Sequence, residues 1–310
     1  MILPRLLWWS MVVLGADGAG AAPAASEPIC CVPPPRIWLE QQVEAWQRER
    51  LERLTAPYGW LSLVGLHWLE GPGPWRIGRD QGEIALGRGP EQIGILRREE
   101  TEEGAVFRLE GSEGEQRLAV DARGEPEDFL DLEGGVRLAV IRRGGRYALR
   151  VWDANAPLRL GFSGLEYFPA SWDWVIEGRF VPYDPPRMLP VADVLGLETP
   201  RRNPGRVEFT VGDRRYTLEA LQEQPGEDLF FVFADRTNGR ETYGGGRFLY
   251  ARPPDASGRV LLDFNRAYAP PCAFTPYSTC PLPPPENRLD LAVRAGEKLY
   301  RGGAGPVSGP

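Results

Sequence analysis

The sequence predicts a mainly β protein: an N-terminal helix, then a β-sandwich-like part, then a second β-rich sandwich or barrel part. Three observations point there. From residue 59 onward, short apolar runs recur at close spacing and are broken by Gly, Asp or Glu. Several of these runs alternate apolar and polar residues with the period of two that a half-buried strand requires. Only residues 36–56 repeat apolar side chains near the helical period.

In chain order, the first stretch is MILPRLLWWSMVVLGADGAGAAPAA. Arg5 supplies a positive start, Leu6 to Leu14 an apolar run too short to span a bilayer, and Ala19-Gly20-Ala21 a small-residue cleavage pattern. Residues 1–21 therefore read as a signal peptide, which predicts a periplasmic or secreted protein with no integral membrane span in the mature chain. Cys30 and Cys31 invite a lipoprotein reading. Pro28-Ile29 lacks the small residues that lipidation prefers, so lipidation is not expected. Residues 22–35 form a small-residue and proline linker.

Residues 36–56 place Ile37 (or Trp38), Val43, Trp46, Leu51 and Leu54 on one side of an amphipathic helix, which Pro57 ends. Residues 57–153 hold the first β part. Its runs are GWLSLVGLHWL, RIGRDQGEIAL, ILRREE, AVFRLEG, QRLAVDA and the hairpin VRLAVIRRGGRYALRVWD, turned at Gly144-Gly145. Residues 154–301 hold the second. They offer a strand from Trp174 to Phe180, a hairpin around Gly212-Asp213, the buried strand DLFFVFAD, and a further hairpin, GRFLYARPPDASGRVLLDFN, turned between Pro253 and Gly258. Residues 302–310 are a glycine- and proline-rich flexible tail.

Composition narrows the function classes. The 310 residues can bury a sizeable core, and 42% hydrophobic with 25% charged residues is ordinary for a globular protein. A net charge of −7 argues against nucleic-acid binding, which needs a cationic surface.

The stretch DFNRAYAPPCAFTPYSTCPLPPPENRL, Asp263 to Leu289, concentrates the chemistry. Strand alternation puts Val260, Leu262 and Phe264 on one face, and Leu261, Asp263 and Asn265 on the other. The prolines exclude a helix or central strand, leaving a long ordered loop of the kind that is often functional. A metal centre needs about four ligands. Cys272, Cys280 and the single histidine His67 do not supply them, so no metal and no cofactor is expected. Cys272 and Cys280 are disulfide candidates in an oxidising compartment. His67 is also a catalytic candidate, in a pairing with Cys272. Asp263 and Glu286 are the carboxylates that a hydrolase would use.

Arg240, Arg247, Arg266 and Arg288 are guanidiniums that could converge on a carboxylate or phosphate. The favoured reading is a protein that binds a small anionic or polar ligand in a pocket beside the proline-rich loop. The candidate ligand-binding residues are Arg240, Tyr243, Arg247, Asp263, Asn265, Arg266, Tyr268, Asn287 and Arg288. The alternatives are the hydrolase and a structural or interaction protein whose polar groups only fasten loops. Sequence leaves open whether the chain is an enzyme and whether it has a protein partner.

LFFVFADRTNGRETYGGGRFLY, followed by LLDFNRAYAPPCAFTPYSTCPLPPPENRLDLAVRAGEKLY, closely resembles the bacterial and archaeal DUF1684 family. YGWLSLVGLHWL and GLEYFPASWDW are similar to it as well, so the resemblance runs from about Trp46 to Tyr300. Ala269 stands where that family usually has asparagine. The resemblance implies membership and no particular activity. Residues 59–153 also look loosely like a forkhead-associated sandwich, with IGR at 77–79. The Ser and His that read phosphothreonine in that fold are not evident, so phosphopeptide binding is not implied.

Overall fold

The period-two runs become strands and the one helical repeat becomes a long helix in the computed structural model, which describes residues 36–302 except 103 and 113. The expected signal peptide, the linker with Cys30 and Cys31, and the tail from residue 303 lie outside the described residues. The molecule is mainly β, with one long N-terminal helix. Among the described residues no helix is long and apolar enough to cross a membrane.

Helix α1 (Arg36–Thr55) buries Leu39, Val43, Arg50 and Leu54 and half-buries Trp46. Ile37 and Leu51, expected on that stripe, point outward and are 65% and 38% exposed. The stripe is rotated because its fourth member is an arginine. The head of Arg50 is satisfied internally, by Glu297 and by the carbonyl of Ala269, so a charged residue occupies a core position.

Two sheets build the first β part. One runs β3-β2-β4-β5-β6: β2 (Trp75–Gly78), β3 (Ile84–Ala85), β4 (Gln92–Thr101), β5 (Gly104–Gly111) and β6 (Gly114–Leu118). The other runs β1-β9-β8-β7: β1 (Leu63–Trp68), β7 (Leu130–Leu132), β8 (Val136–Arg143) and β9 (Arg146–Asp153). Between them lies a core that includes Leu96, Phe107, Leu118, Leu138 and Leu149. Each such side chain contributes roughly 1.5–3 kcal/mol by leaving water. Gly144 and Gly145 turn the β8–β9 hairpin at φ +54° and +79°, backbone that side chains other than glycine rarely adopt. Along β9, Tyr147, Leu149 and Val151 enter this core. Alternation therefore turns Ala148, Arg150 and Trp152 to the opposite face.

The second part has a sheet of order β12-β11-β10-β15: β10 (Val175–Ala192), β11 (Glu198–Val211), β12 (Arg214–Ala220) and β15 (Arg259–Asp263). A separate pair, β13 (Leu229–Phe233) and β14 (Arg247–Ala251), closes over it, and Val207, Phe231, Phe233, Leu249, Leu262 and Phe264 form the second core. Two expectations are corrected. β14 and β15 are not a hairpin, because β14 pairs with β13 and β15 with β10. The strand expected to end at Phe180 continues to Ala192 through Pro182, Pro185, Pro186 and Pro190. Prolines are tolerated there because β15 pairs with β10 only as far as Arg179, leaving one edge without ladder bonds to lose.

Candidate functional site

The outward face of β8 and β9 borders a cleft. Arg143, Arg150 and Trp152 look across a cleft of about 790 Å³, whose other walls come from α1 (Trp46, Arg50, Arg53), Tyr58 to Trp60, β14 (Phe248, Tyr250), Tyr268 and Pro271. Aromatic rings and four arginines line it, and Glu125 is the acidic residue among the lining side chains.

The arginines differ in how they are satisfied. Arg50 is ion-paired to Glu297 at 3.3 Å, donates to the Ala269 carbonyl at 2.9 Å, and lies 4.6 Å from the centre of the Tyr268 ring. Arg53 is exposed, with Glu49 at 3.9 Å. Arg143 donates to the carbonyls of Gly124 and Arg142 at 2.8 Å, to the Thr279 hydroxyl at 3.1 Å, and pairs with Glu125. Arg150 has less. It is 4% exposed, its head is 3.9 Å from Glu125, and it donates to the Thr279 hydroxyl at 3.4 Å, with Nε unpaired. Its guanidinium carbon sits 5.4 Å from the Trp60 ring centre. Burial, and then the neighbouring charge of Arg143, pull its pKa down to about 10. It is still cationic at neutral pH. Two guanidiniums thus share one half-exposed carboxylate beside a wall of rings, an arrangement able to take an anion with a flat body.

The residues singled out from sequence fall elsewhere, with one exception. Tyr268 lines the cleft, and burial lifts its phenol pKa well above the ordinary value. Tyr243 is half-buried and donates to the Cys272 carbonyl at 3.2 Å. Arg247 is fully buried, paired with Asp235 at 2.6 Å and bonded to the Val293 carbonyl at 2.8 Å. Asp263 accepts from the backbone and side-chain nitrogens of Asn265 at 3.1 and 2.9 Å and pairs with Arg266 at 3.0 Å. Asn265 is buried and bonds both ways to the Ser171 backbone at 3.0 Å. Asn287 is buried and ties the Glu219 and Val232 backbones together. Arg240, Glu286 and Arg288 are exposed. These side chains do not converge on one cavity.

His67 lies on β1 opposite Leu149, and burial lowers its pKa. Among the described residues no hydrogen bond joins it to Cys272, and no cluster of three or more His, Cys, Asp or Glu could hold a metal. Cys272 and Cys280 are thiols that lie together, with the Cys272 backbone N–H donating to the Cys280 sulfur at 3.2 Å. Ala269 is buried, packing in a cluster with Leu54, Leu61 and Phe274.

Sequence reading missed Arg50, Arg143, Arg150, Trp60 and Trp152. One signal was present: in RYALRVWD an arginine interrupts a run that is otherwise apolar on both faces. A strand with two apolar faces has no solvent side to receive that charge.

The sequence model of a family described as "Protein of unknown function (DUF1684)" matches residues 160–298. The similar stretch at 58–69 lies before that span. Of the cleft walls, Phe248, Tyr250, Tyr268 and Pro271 fall inside it, and Arg50, Arg143 and Arg150 precede it. Among curated proteins, none matches the chain. Among solved structures, it is similar to an uncharacterized protein of Haloarcula marismortui determined by solution NMR. The identity is 30%, covering 45% of this chain and 78% of that one, with a TM-score of 0.39. Through residues 160–298, the chain belongs to the DUF1684 family.

Proposed function

We propose that the protein binds a small organic anion in the cleft, with the charged group toward Arg143 and Arg150 and a flat or apolar body against Trp60, Trp152 and Tyr268. The observation that carries this reading is Arg150. Its charge is buried, yet its nearest carboxylate is 3.9 Å away and already paired with Arg143. Removing a charge from water costs several kcal/mol unless a partner compensates. Arginine cannot escape that cost by losing its proton near neutral pH. Retaining such a group at the wall of an open, ring-lined cleft fits a counter-ion that arrives from outside. Hydrolysis at Asp263 or Glu286 has no comparable support, since the first is held by Arg266 and Asn265 and the second stands in solvent.

Native mass spectrometry of protein purified from its own host, followed by calorimetry with phenyl phosphate and benzoate, tests the reading. A retained anion, or a probe bound about 100-fold more weakly by Arg150→Met, supports it. Equal behaviour of wild type and variant refutes it and leaves the purely structural role. We further propose that the protein acts outside the cytoplasm, on the strength of the leader pattern in residues 1–21. A mature N-terminus near residue 22 in the periplasmic or culture fraction supports export; an intact Met1 in the cytoplasmic fraction contradicts it.

A further inference from the structure

Cys272 and Cys280 bracket a loop that touches the arginine wall of the cleft. Pro271, next to Cys272, lines the cleft, and Thr279, next to Cys280, accepts hydrogen bonds from both Arg143 and Arg150. The hydroxyl of Ser278 is within reach of both sulfurs, 3.0 Å from Cys272 Sγ and 3.6 Å from Cys280 Sγ. Cys280 is buried and Cys272 half-buried, so Cys272 is the more accessible of the pair.

We propose that Cys272 and Cys280 form a thiol–disulfide exchange site for small disulfides, and that its oxidation state sets the affinity of the cleft through Thr279. The second half rests on the anion-binding reading above. The chemistry balances as follows. The Cys272 thiolate attacks one sulfur of a small disulfide, such as an oxidised low-molecular-weight thiol. The reagent S–S bond breaks, a mixed disulfide forms, and one thiolate leaves and takes up a proton. Cys280, losing its proton, then attacks the Cys272 sulfur and expels the second thiol. Two protein thiols and one reagent disulfide become one protein disulfide and two reagent thiols.

The two cysteines suit these unequal roles. The hydrogen bond from Cys280, with that from Ser278, brings the Cys272 thiol down to about 7 against the opposing effect of burial. Burial holds the Cys280 thiol well above its ordinary value. A partly accessible, acidic attacking thiol beside a buried partner is the pattern of exchange-competent pairs. Bond formation draws the two sulfurs together and shifts the Ser278 hydroxyl that contacts both. The adjacent Thr279 moves with it and withdraws the acceptor shared by Arg143 and Arg150.

The test uses the full-length protein in graded mixtures of reduced and oxidised glutathione, with alkylation and peptide mapping to locate disulfides. Phenyl phosphate binding is measured on the reduced and oxidised forms in parallel. A reversible Cys272–Cys280 bond, with roughly a tenfold difference in affinity between the forms that disappears in Cys280→Ser, is the expected result. Thiols that stay reduced in every mixture, or a bond that does not reopen, overturn the exchange site. A reversible bond with unchanged affinity overturns the coupling. A probe that binds neither form defeats the anion reading and the coupling with it, whereas the mapped thiols still decide the exchange site.

Discussion

Arg247 and Arg150 are both nearly withdrawn from water, and they are satisfied in opposite ways. Arg247 meets Asp235 at 2.6 Å, with both side chains at 0% exposure, and carbonyls of Val293 and Ala295 take further donors. Arg150 meets a hydroxyl at 3.4 Å and a carboxylate at 3.9 Å, next to a second arginine. Each leaves Nε unpaired, so that atom does not separate them. What separates them is the counter-ion and the place. Arg247 is enclosed beside the second core and joins β14 to Val293 and Ala295; Arg150 borders a cleft. Burial of a charge alone therefore says little about function, and the question to ask is what neutralises it.

Substitution at Arg247 should give the largest effect. Arg247→Met leaves Asp235 buried and unpaired, and unfolding by urea is expected to show a loss of about 3–5 kcal/mol. If Arg247→Met is tolerated while Arg150→Met unfolds the protein, the comparison is reversed. Arg150→Met is expected to leave stability unchanged or to raise it, since it removes an uncompensated buried charge. Its effect should fall on binding, about 100-fold in the calorimetric Kd.

Arg50 lies between these extremes, because it lines the cleft and is also paired. Arg50→Met should cost about 1–3 kcal/mol by stranding Glu297. Burial already raises the pKa of Glu297 above its ordinary value, with Arg50 opposing that rise. A carboxyl whose folded pKa is above its unfolded one favours folding in its protonated form. Stability is then lost as pH climbs from the unfolded value, roughly 4, through the folded one. Removing Arg50 should steepen that loss, seen as urea midpoints falling faster with rising pH than in wild type. A flat profile in the variant would show that Glu297 is neutralised by something other than Arg50.

The reactivity of Cys272 sharpens the picture of the cleft edge. Its alkylation by iodoacetamide should rise through about pH 7 and then level, because the thiolate is populated above its lowered pKa. An ordinary thiol continues to accelerate to about pH 8.5. The smallest effect is expected at Asp263→Asn. The Asp263–Arg266 pair is part-exposed, and its loss should cost at most about 1 kcal/mol and leave probe affinity unaltered. A large change in affinity there would return the site to the proline-rich stretch.

The stretch from Asp263 to Leu289 shows why the proposed site was hard to read from the sequence. It is dense in polar side chains, and density of polar groups suggested a pocket. Proline removes backbone donors and breaks ladders, so a long proline-rich loop must be fastened by side chains instead. Asn265 and Asn287 do this, each bonding backbone groups from a distant segment. Only Tyr268 from the predicted set reaches the cleft. The fold was more legible: β8, β9, β11 and β12 follow from alternation and from Gly144-Gly145 and Gly212, and β13 from its continuous apolar run. The proline-bearing half of β10 and the partners of β14 and β15 did not follow, because one depends on an open sheet edge and the other on pairing across many intervening residues.

The sequence by itself determined the β class, the N-terminal helix, the hairpins at Gly144-Gly145 and Gly212-Asp213 and membership of the DUF1684 family. These rest on local periodicity, on glycine conformations and on contiguous motifs, all of which can be read along the chain. Only the tertiary structure decided that Arg50 occupies a core position, that Arg150 faces away from the first core, and that both line one cleft with Tyr268. Such assignments depend on which face of α1 and β9 meets which neighbour, and side chains from positions 50, 150 and 268 become neighbours only once the sheets have packed.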